Sequence, residues 1–324
     1  MGKEHQQGMA SLSNEESLQW ARICWYYFQE GQTQEAIANQ LGLTRMRVNK
    51  ILNEARSNGF VQFSINSRFG YFPELEDSLA ALFGLEEVIV IPSPAEGVDP
   101  RRVLGAAAGG YISDHLGVDQ SIGITWGGTV NAAALAIRRH NRSGNTVISL
   151  CGGMASSGHI NPYDNAAMFA RALNARCYYI PAPMYADDLE LATALMRSAS
   201  VRRVLEQVPH IHMAMLTAID LTPQSKALEY GVIDEKQRAS LLAAGSAGSI
   251  CGHYLDMEGR LVEHPLNKLA IAPSTADIKM IPRLVLAAGG AQKVDVTVAG
   301  LRSGLAHVLI TDEFAARELI RIAS

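Results

Sequence analysis

Between residues 33 and 58 apolar side chains recur every three or four positions in two short runs broken at Gly42, the periodicity of two amphipathic helices joined by a turn. In the second run Val48, Ile51, Leu52 and Ala55 form one stripe, and Met46, Asn49, Lys50 and Asn53 face away from it. Thr33 stands where an N-cap belongs, although Ala36 at the third following position withholds a full capping box. An earlier helical run over residues 15–30 aligns Trp20, Ile23, Cys24 and Tyr27 and stops at Gly31. Alternation from Phe60 to Ile65 predicts a strand or small wing, and residues 66–70 a linker. Together these elements predict a helix-turn-helix, winged-helix-like head over residues 1–66.

After the linker the pattern changes. Residues 73–82 give one more amphipathic helix, with Leu75, Leu79 and Leu82 in line. Short apolar runs then follow at 87–91, 122–125, 146–150, 177–180, 211–215, 284–287 and 307–310, separated by helical stretches. Strands without polar alternation are buried on both faces, and intervening helices make the crossovers that parallel pairing needs. Residues 67–324 are therefore expected to form a large, doubly wound, mostly parallel α/β domain. Its ligand site belongs at the carboxyl ends of the strands.

Composition narrows the function. A net charge of −4, with 48% hydrophobic and 19% charged residues, describes a packed globular protein and excludes one that coats nucleic acid. Charge is local instead: residues 44–58 hold four basic side chains against one acidic. Arg45, Arg47 and Arg56 flank the second helix as phosphate donors, and Met46, Asn49, Lys50 and Asn53 are placed for base edges. Thr33, Gln34 and Thr44, at the two helix starts, complete the set expected to meet double-stranded DNA. Cys24, Cys151, Cys177 and Cys251 show neither paired nor metal-ligand spacing and read as buried reduced thiols. No signal-peptide core and no apolar run near 18 residues occurs, so a cytoplasmic protein with no membrane partner is expected.

Several glycine-rich loops follow predicted strands. Residues 124–129 run from a strand through Trp126, Gly127 and Gly128 into a helix at Thr129, an arrangement whose free amides suit an anion or hydroxyl. Gly152, Gly153 and Met154 follow the next strand, and Pro181 and Pro183 fix a third loop. Residues 217–220, 248–256 and 287–293 add Asp220, His253, Asp256 and Lys293. The motifs of serine hydrolases, zinc proteases and P-loop proteins are absent, and neither glycine turn fits a dinucleotide fingerprint. No catalytic residue, cofactor or metal is expected.

In its head (residues 34–44 and 51–61) and in Thr125–Thr129, Pro181–Pro183, Ala288–Lys293 and Leu309–Glu313, the chain resembles the SorC family of sugar-responsive bacterial regulators, a branch of the DeoR-type regulators. The resemblance implies an effector domain related to sugar-phosphate isomerases that has become a sensor, assembled as a homo-oligomer, usually a tetramer. It also implies that Thr125 to Thr129, Gly152, Gly153 and Lys293 line the effector site. Met154, Asp220 and Asp256 join them from the neighbouring loops. Gly128 stands where relatives often carry a larger, sometimes basic residue, and residues 216–219 replace a more glycine-rich segment. A loop without a cation would give a phosphate no strong partner, so an uncharged sugar or polyol is the favoured effector. The expected function is a carbohydrate-controlled transcriptional regulator, a repressor or an activator. The rivals are a sugar-phosphate isomerase-like enzyme with an accessory DNA-binding head, for which Asp220, His253 and Asp256 are the candidate bases, and a dinucleotide-sensing repressor.

Overall fold

The computed structural model describes residues 14–57, 60–61, 72–95, 98–138, 144–155 and 161–324, and the chain divides into two compact units, Met1–Ile65 and Asn66–Ser324. The first holds α1 (Asn14–Phe28), α2 (Gln34–Leu41) and α3 (Arg45–Ser57). Thr33 Oγ1 accepts the Ala36 amide at 3.2 Å and so caps α2, which ends on Gly42 at φ 66°, a left-handed conformation that glycine adopts without strain. Thr44 repeats the device for α3, accepting the Arg47 amide at 3.2 Å. Trp20, Ile23, Ile37, Val48, Ile51, Leu52 and Ala55 form the core where the three helices meet. Burial pushes the Cys24 thiol up to about 11 against the opposing charge of Arg56, so it is an inert apolar filler. Of the strand or wing expected over residues 60–65, residues 60–61 form a bend, and the rest lies outside the described residues, as does the expected linker at 66–70; Phe60 packs edge-on against Trp20 with centroids 5.6 Å apart.

The second unit runs α4 (Pro73–Phe83), β1 (Glu87–Ile91), α5 (Arg101–His115), β2 (Ser121–Ile124), α6 (Gly128–Ala136), β3 (Thr146–Ser149), α7 (Pro162–Leu173) and β4 (Arg176–Tyr178). Next come α8 (Leu189–Arg197), α9 (Ala199–Leu205), β5 (Met213–Leu216), β6 (Ala218–Ile219), α10 (Lys226–Glu229), α11 (Glu235–Ala243), β7 (Gly248–Ile250) and β8 (His253–Leu255). The unit closes with α12 (Pro265–Leu269), α13 (Thr275–Lys279), β9 (Leu284–Ala287), α14 (Val294–Arg302), β10 (Val308–Asp312) and α15 (Glu313–Ala323).

All seven predicted apolar runs pair in one parallel sheet of order β1-β10-β9-β5-β2-β3-β4. Successive residues sort to opposite faces: Ala214 and Leu216 enter one core with Leu284 and Leu286, while Met213 and Met215 enter the other with Val285 and Ala287. One face is covered by α5, α6 and α7, the other by α4, α14 and α15. The chain departs from β2 towards β3 and β4, then returns to lay β5 on the other side of β2. That reversal is the topological switch point, where strand-end loops diverge and leave a crevice.

A second sheet, the antiparallel β6-β7-β8, has no counterpart in the sequence expectations. Its strands of two or three residues are too short to carry a periodicity. The β7–β8 turn is Cys251–Gly252, with φ 52° and 81°, so the two positive φ angles of a tight hairpin arise without the usual Asn-Gly cue.

Candidate functional site

In the first unit, Met46, Asn49, Lys50 and Asn53 all lie on the solvent face of α3, opposite its buried stripe, and Met46 is 83% exposed. Gln34 Nε2 and Asn53 Nδ2 both donate to Asn49 Oδ1, each at 3.4 Å, so three amides form one loosely held polar set across α2 and α3. Arg45 and Arg47 project beside it, and Lys50 makes a 3.7 Å, largely exposed pair with Glu54 that DNA can displace at little cost. Arg56 instead lies 5.3 Å over the Phe28 ring. The predicted DNA-facing residues thus share one surface. Thr33 and Thr44 sit at its edge with their oxygens engaged as caps.

In the second unit the crevice at the switch point is built from three strand ends. Thr125 Oγ1, after β2, lies 3.2 Å from Thr217 Oγ1, after β5, and Thr217 donates to the Trp126 carbonyl at 2.7 Å. These buried hydroxyls lace the two strand ends together. Gly127 then takes φ 120°, a conformation favouring glycine, and caps α6. Asn165 of α7 reaches the Gly127 carbonyl at 3.3 Å and holds the turn from below. The first amides of α6 point outward, as at any helix start. From the third strand end, Lys293 Nζ donates to the Ala218 carbonyl. Asp220 is close enough for its charge to favour the ammonium, while burial and the charge of Arg101 oppose it; the net effect lowers the lysine below its ordinary value.

The family described as Putative sugar-binding domain matches residues 67–321, and that described as Sigma-70, region 4 matches residues 18–58. The chain belongs to the SorC-type family of sugar-binding transcriptional regulators. The Erythritol catabolism regulatory protein EryD of Brucella abortus is 29% identical over 301 residues, covering 92% of this chain and 95% of that protein. The Transcriptional regulator LsrR of Escherichia coli K12 is 30% identical over 313 residues, covering 94% and 95%. The full-length Sorbitol Operon Regulator SorC of Klebsiella pneumoniae shares the fold at a TM-score of 0.72 and 20% identity, over 94% of this chain and 99% of that one.

Within this SorC-type frame the expected effector residues divide. Thr125, Gly127, Gly128, Thr129, Asp220 and Lys293 meet at the switch point. Trp126 belongs to the same loop, but its side chain is 2% exposed and packs in the core. Gly152 and Gly153 are not an open cradle. Their amides already donate to Ile271 and Ala182 carbonyls at 3.0 and 2.8 Å, and a β-carbon on either would strike Pro183 or the Tyr163 ring. Both are glycine because another segment packs on them. Met154 is half-buried against that same core.

Asp256 is misplaced in the sequence reading. Its Oδ1 accepts the Glu258 and Arg260 amides at 3.0 and 2.8 Å, closing a turn whose Gly259 abuts Ser303 at the C-terminal end of α14. Lys293 precedes the other end of that nine-residue helix, about 14 Å away at 1.5 Å per residue. His253 Nε2 donates to the Pro273 carbonyl at 2.8 Å, and burial lowers its pKa. It is a neutral ring inside the small sheet. The cysteines are free thiols, yet Cys151 and Cys251 come within 3.7 Å of each other, a proximity their spacing of 100 residues conceals.

One site residue escaped the sequence reading. Arg101, the first residue of α5, lays its guanidinium over Gly128: a β-carbon there would meet Arg101 Cδ and Nη1 at 2.9 Å. The loop without a cation therefore has one beside it, delivered from another helix. Its signal was the run Asp99, Pro100, Arg101, a turn acid and a proline ahead of a helix.

Proposed function

We propose that this chain is a transcriptional regulator whose N-terminal unit grips operator DNA through α3 and whose second unit binds a carbohydrate at the switch-point crevice. The observation that carries the reading is the pairing of two separate constructions in one chain. One is a small unit with a basic, polar helix face, and the other a parallel sheet whose strand ends gather Asp220, Lys293 and the start of α6. The relative named for erythritol catabolism supports a small polyol or its derivative as ligand. We take the working form to be a homo-oligomer, a tetramer by the family resemblance, acting in the cytoplasm on a palindromic operator. Ligand and DNA communicate by favouring different arrangements of that assembly; coupling of about 1–3 kcal/mol changes operator affinity roughly 5- to 150-fold.

A binding role rather than catalysis is supported by the fate of the candidate bases. Asp256 closes a remote turn, His253 is a buried neutral ring, and Asp220 has Oδ1 occupied by the Thr222 amide at 3.0 Å. Among the described residues no helix is long and apolar enough to cross a membrane. The test is fluorescence anisotropy of full-length protein on its own promoter DNA, with and without sugars, polyols and their phosphates. We expect binding that one carbohydrate class shifts and that Arg47→Ala or Lys50→Ala weakens, with a salt dependence about one ion shallower for each. No promoter binding at low ionic strength with any carbohydrate would overturn the proposal, and sustained turnover of a sugar phosphate would replace it with the enzyme reading.

A further inference from the structure

The last residue of β10 is a buried carboxylate that takes no part in the site described above. Asp312 is 1% exposed, and its two oxygens serve three segments of the chain. Oδ1 accepts the Ala315 amide at 3.1 Å, which caps α15, and the Ser93 hydroxyl at 3.0 Å. Ser93 Oγ in turn accepts the Phe314 amide at 2.8 Å. Oδ2 accepts the Gly290 amide at 2.5 Å. The loop after β1, the loop after β9 and the start of α15 therefore close on one side chain. A helix cap by itself does not call for this residue, because Ser, Thr or Asn caps equally well and a buried charge is costly. What a carboxylate adds here is an acceptor on both sides. The Gly290 side of the grip is built for closeness: a β-carbon on Gly289 would strike Asp312 Oδ2 and lie 2.9 Å from Leu104 Cδ1. Gly290 takes φ 82°, and a β-carbon on it would meet Pro100 at 3.5 Å. The Gly290 carbonyl accepts the Lys293 amide at 3.1 Å, closing one short turn over residues 291–293 that leads into α14. Lys293 Nζ then donates to the Ala218 carbonyl, within reach of the charge of Asp220. A single turn thus separates the amide held by Asp312 from the ammonium in the crevice.

We propose that Asp312 is a positioning residue of the effector site: its second carboxylate oxygen fixes the Gly289–Gly290 turn and thereby sets where Lys293 stands. Buried behind the turn, it acts through the backbone rather than on a ligand. The inference rests on the carbohydrate-sensor reading above for the purpose of the crevice, while the placing of Lys293 is measured without any ligand. Asp312→Asn is the informative variant. Its one oxygen can keep the Ala315 and Ser93 bonds, since Asn caps a helix as well as Asp does, but its NH2 then faces the Gly290 N–H, donor against donor. The turn should detach while α15 stays capped. Gly289→Ala reaches the same end with the carboxylate still present, by pushing it off the Gly290 amide.

The experiment takes ligand-free full-length protein first. Hydrogen exchange over residues 288–293 should quicken about ten-fold or more in both variants, the loss expected of one buried hydrogen bond left unmade, with protection of α15 unchanged in Asp312→Asn. Acylation of Lys293 by acetic anhydride, read by mass spectrometry, should rise in parallel. The double variant should be no worse than either single one, because both break the same contact. Calorimetric titration follows, with polyols, sugars and sugar phosphates of four to six carbons. The probe that wild type binds best should lose about ten-fold or more in affinity in both variants, and promoter affinity of the ligand-free protein should hold. Exchange and acylation unchanged in both variants, or α15 loosened with the turn still protected, shows Asp312 to be a helix cap alone and overturns the proposal. A released turn with undiminished probe affinity overturns its role in the site. Wild-type protein that binds none of the probes, and whose promoter affinity none alters, overturns the sensor reading instead, and exchange and acylation still decide whether Asp312 places Lys293.

Discussion

The two units place function in opposite positions relative to their cores. In the first, the functional surface is the outside of a helix whose inside is the core, so side chains for DNA project from the same 13-residue element that Val48, Ile51, Leu52 and Ala55 anchor. In the second, function sits at the ends of buried strands, where backbone turns, helix starts and side chains from distant segments converge on a crevice. A helix face carries its function in one stretch of sequence. A strand-end site is assembled, so its members stand or fall with the packing that assembles them. The two sites should therefore fail independently and by different kinds of damage.

The largest effect comes from the smaller core. Ile51 is fully buried between the three helices, and Ile51→Asp puts a carboxylate into an apolar core. The first unit should unfold, a loss above about 4 kcal/mol by the standards of buried charge. Operator binding should vanish, while carbohydrate-induced stabilisation of the second unit persists. Hydrogen exchange resolves the two outcomes, and loss of protection in both units together would show that they are one cooperative body.

The converse damage is gentler and comes from overpacking. Gly105→Ala sets a methyl 2.4 Å from Ala132 Cβ and 2.8 Å from the Ala133 amide, so α5 and α6 must separate. Such strain costs about 1–3 kcal/mol. Because Arg101 and Gly128 begin those two helices, ligand affinity should fall with stability, and promoter affinity of the ligand-free protein should not. Calorimetry and anisotropy on the same preparation measure both.

Acid distinguishes the units too. Among the described residues the first has no histidine, whereas His253 is buried in the second with its pKa held below the ordinary 6.5 by burial, the Pro273 carbonyl opposing. The unfolded chain takes up the proton near 6.5 and the native ring resists it. The stability contributed by the neutral ring is therefore full above that pH and is lost as pH falls below it, by up to about 1.4 kcal/mol per pH unit. Melting curves between pH 7.5 and roughly pH 5.5 should show the second unit weakening first. His253→Gln should flatten its slope.

The contrast also explains what could be read from sequence. The α3 stripe, the Thr33 cap and seven strands followed from periodicity, because each is a local pattern imposed by burial. The candidate site was legible only where it coincided with a loop directly after an apolar run. Gly152 and Gly153 looked like a cradle because a glycine needed for close packing of Pro183 and Tyr163 has the same signature as one that admits a ligand. Asp256 looked near the site because its strand shares the small sheet with Ala218 and Ile219, but its carboxylate is taken up by the Glu258 and Arg260 amides of its own turn. Arg101 was invisible because its partner is the absent side chain of Gly128, and no one-dimensional pattern links 101 to 128.

The smallest effect tests the border between scaffold and reading surface. Thr33 was expected to face DNA, and it caps α2 through an acceptor lone pair of Oγ1, which leaves its hydroxyl proton available to a phosphate. Thr33→Ala removes both functions, and the lost cap costs about 1 kcal/mol of first-unit stability. Asn at this position restores the cap but offers its donor from a differently shaped group. If capping is the whole role, Thr33→Asn should recover stability and promoter affinity together. If the hydroxyl also holds a phosphate, stability should return while affinity stays reduced, with a salt dependence unchanged because no charge has been removed. Denaturation and anisotropy on the pair of variants decide between them, and the answer fixes how far the DNA surface extends beyond α3.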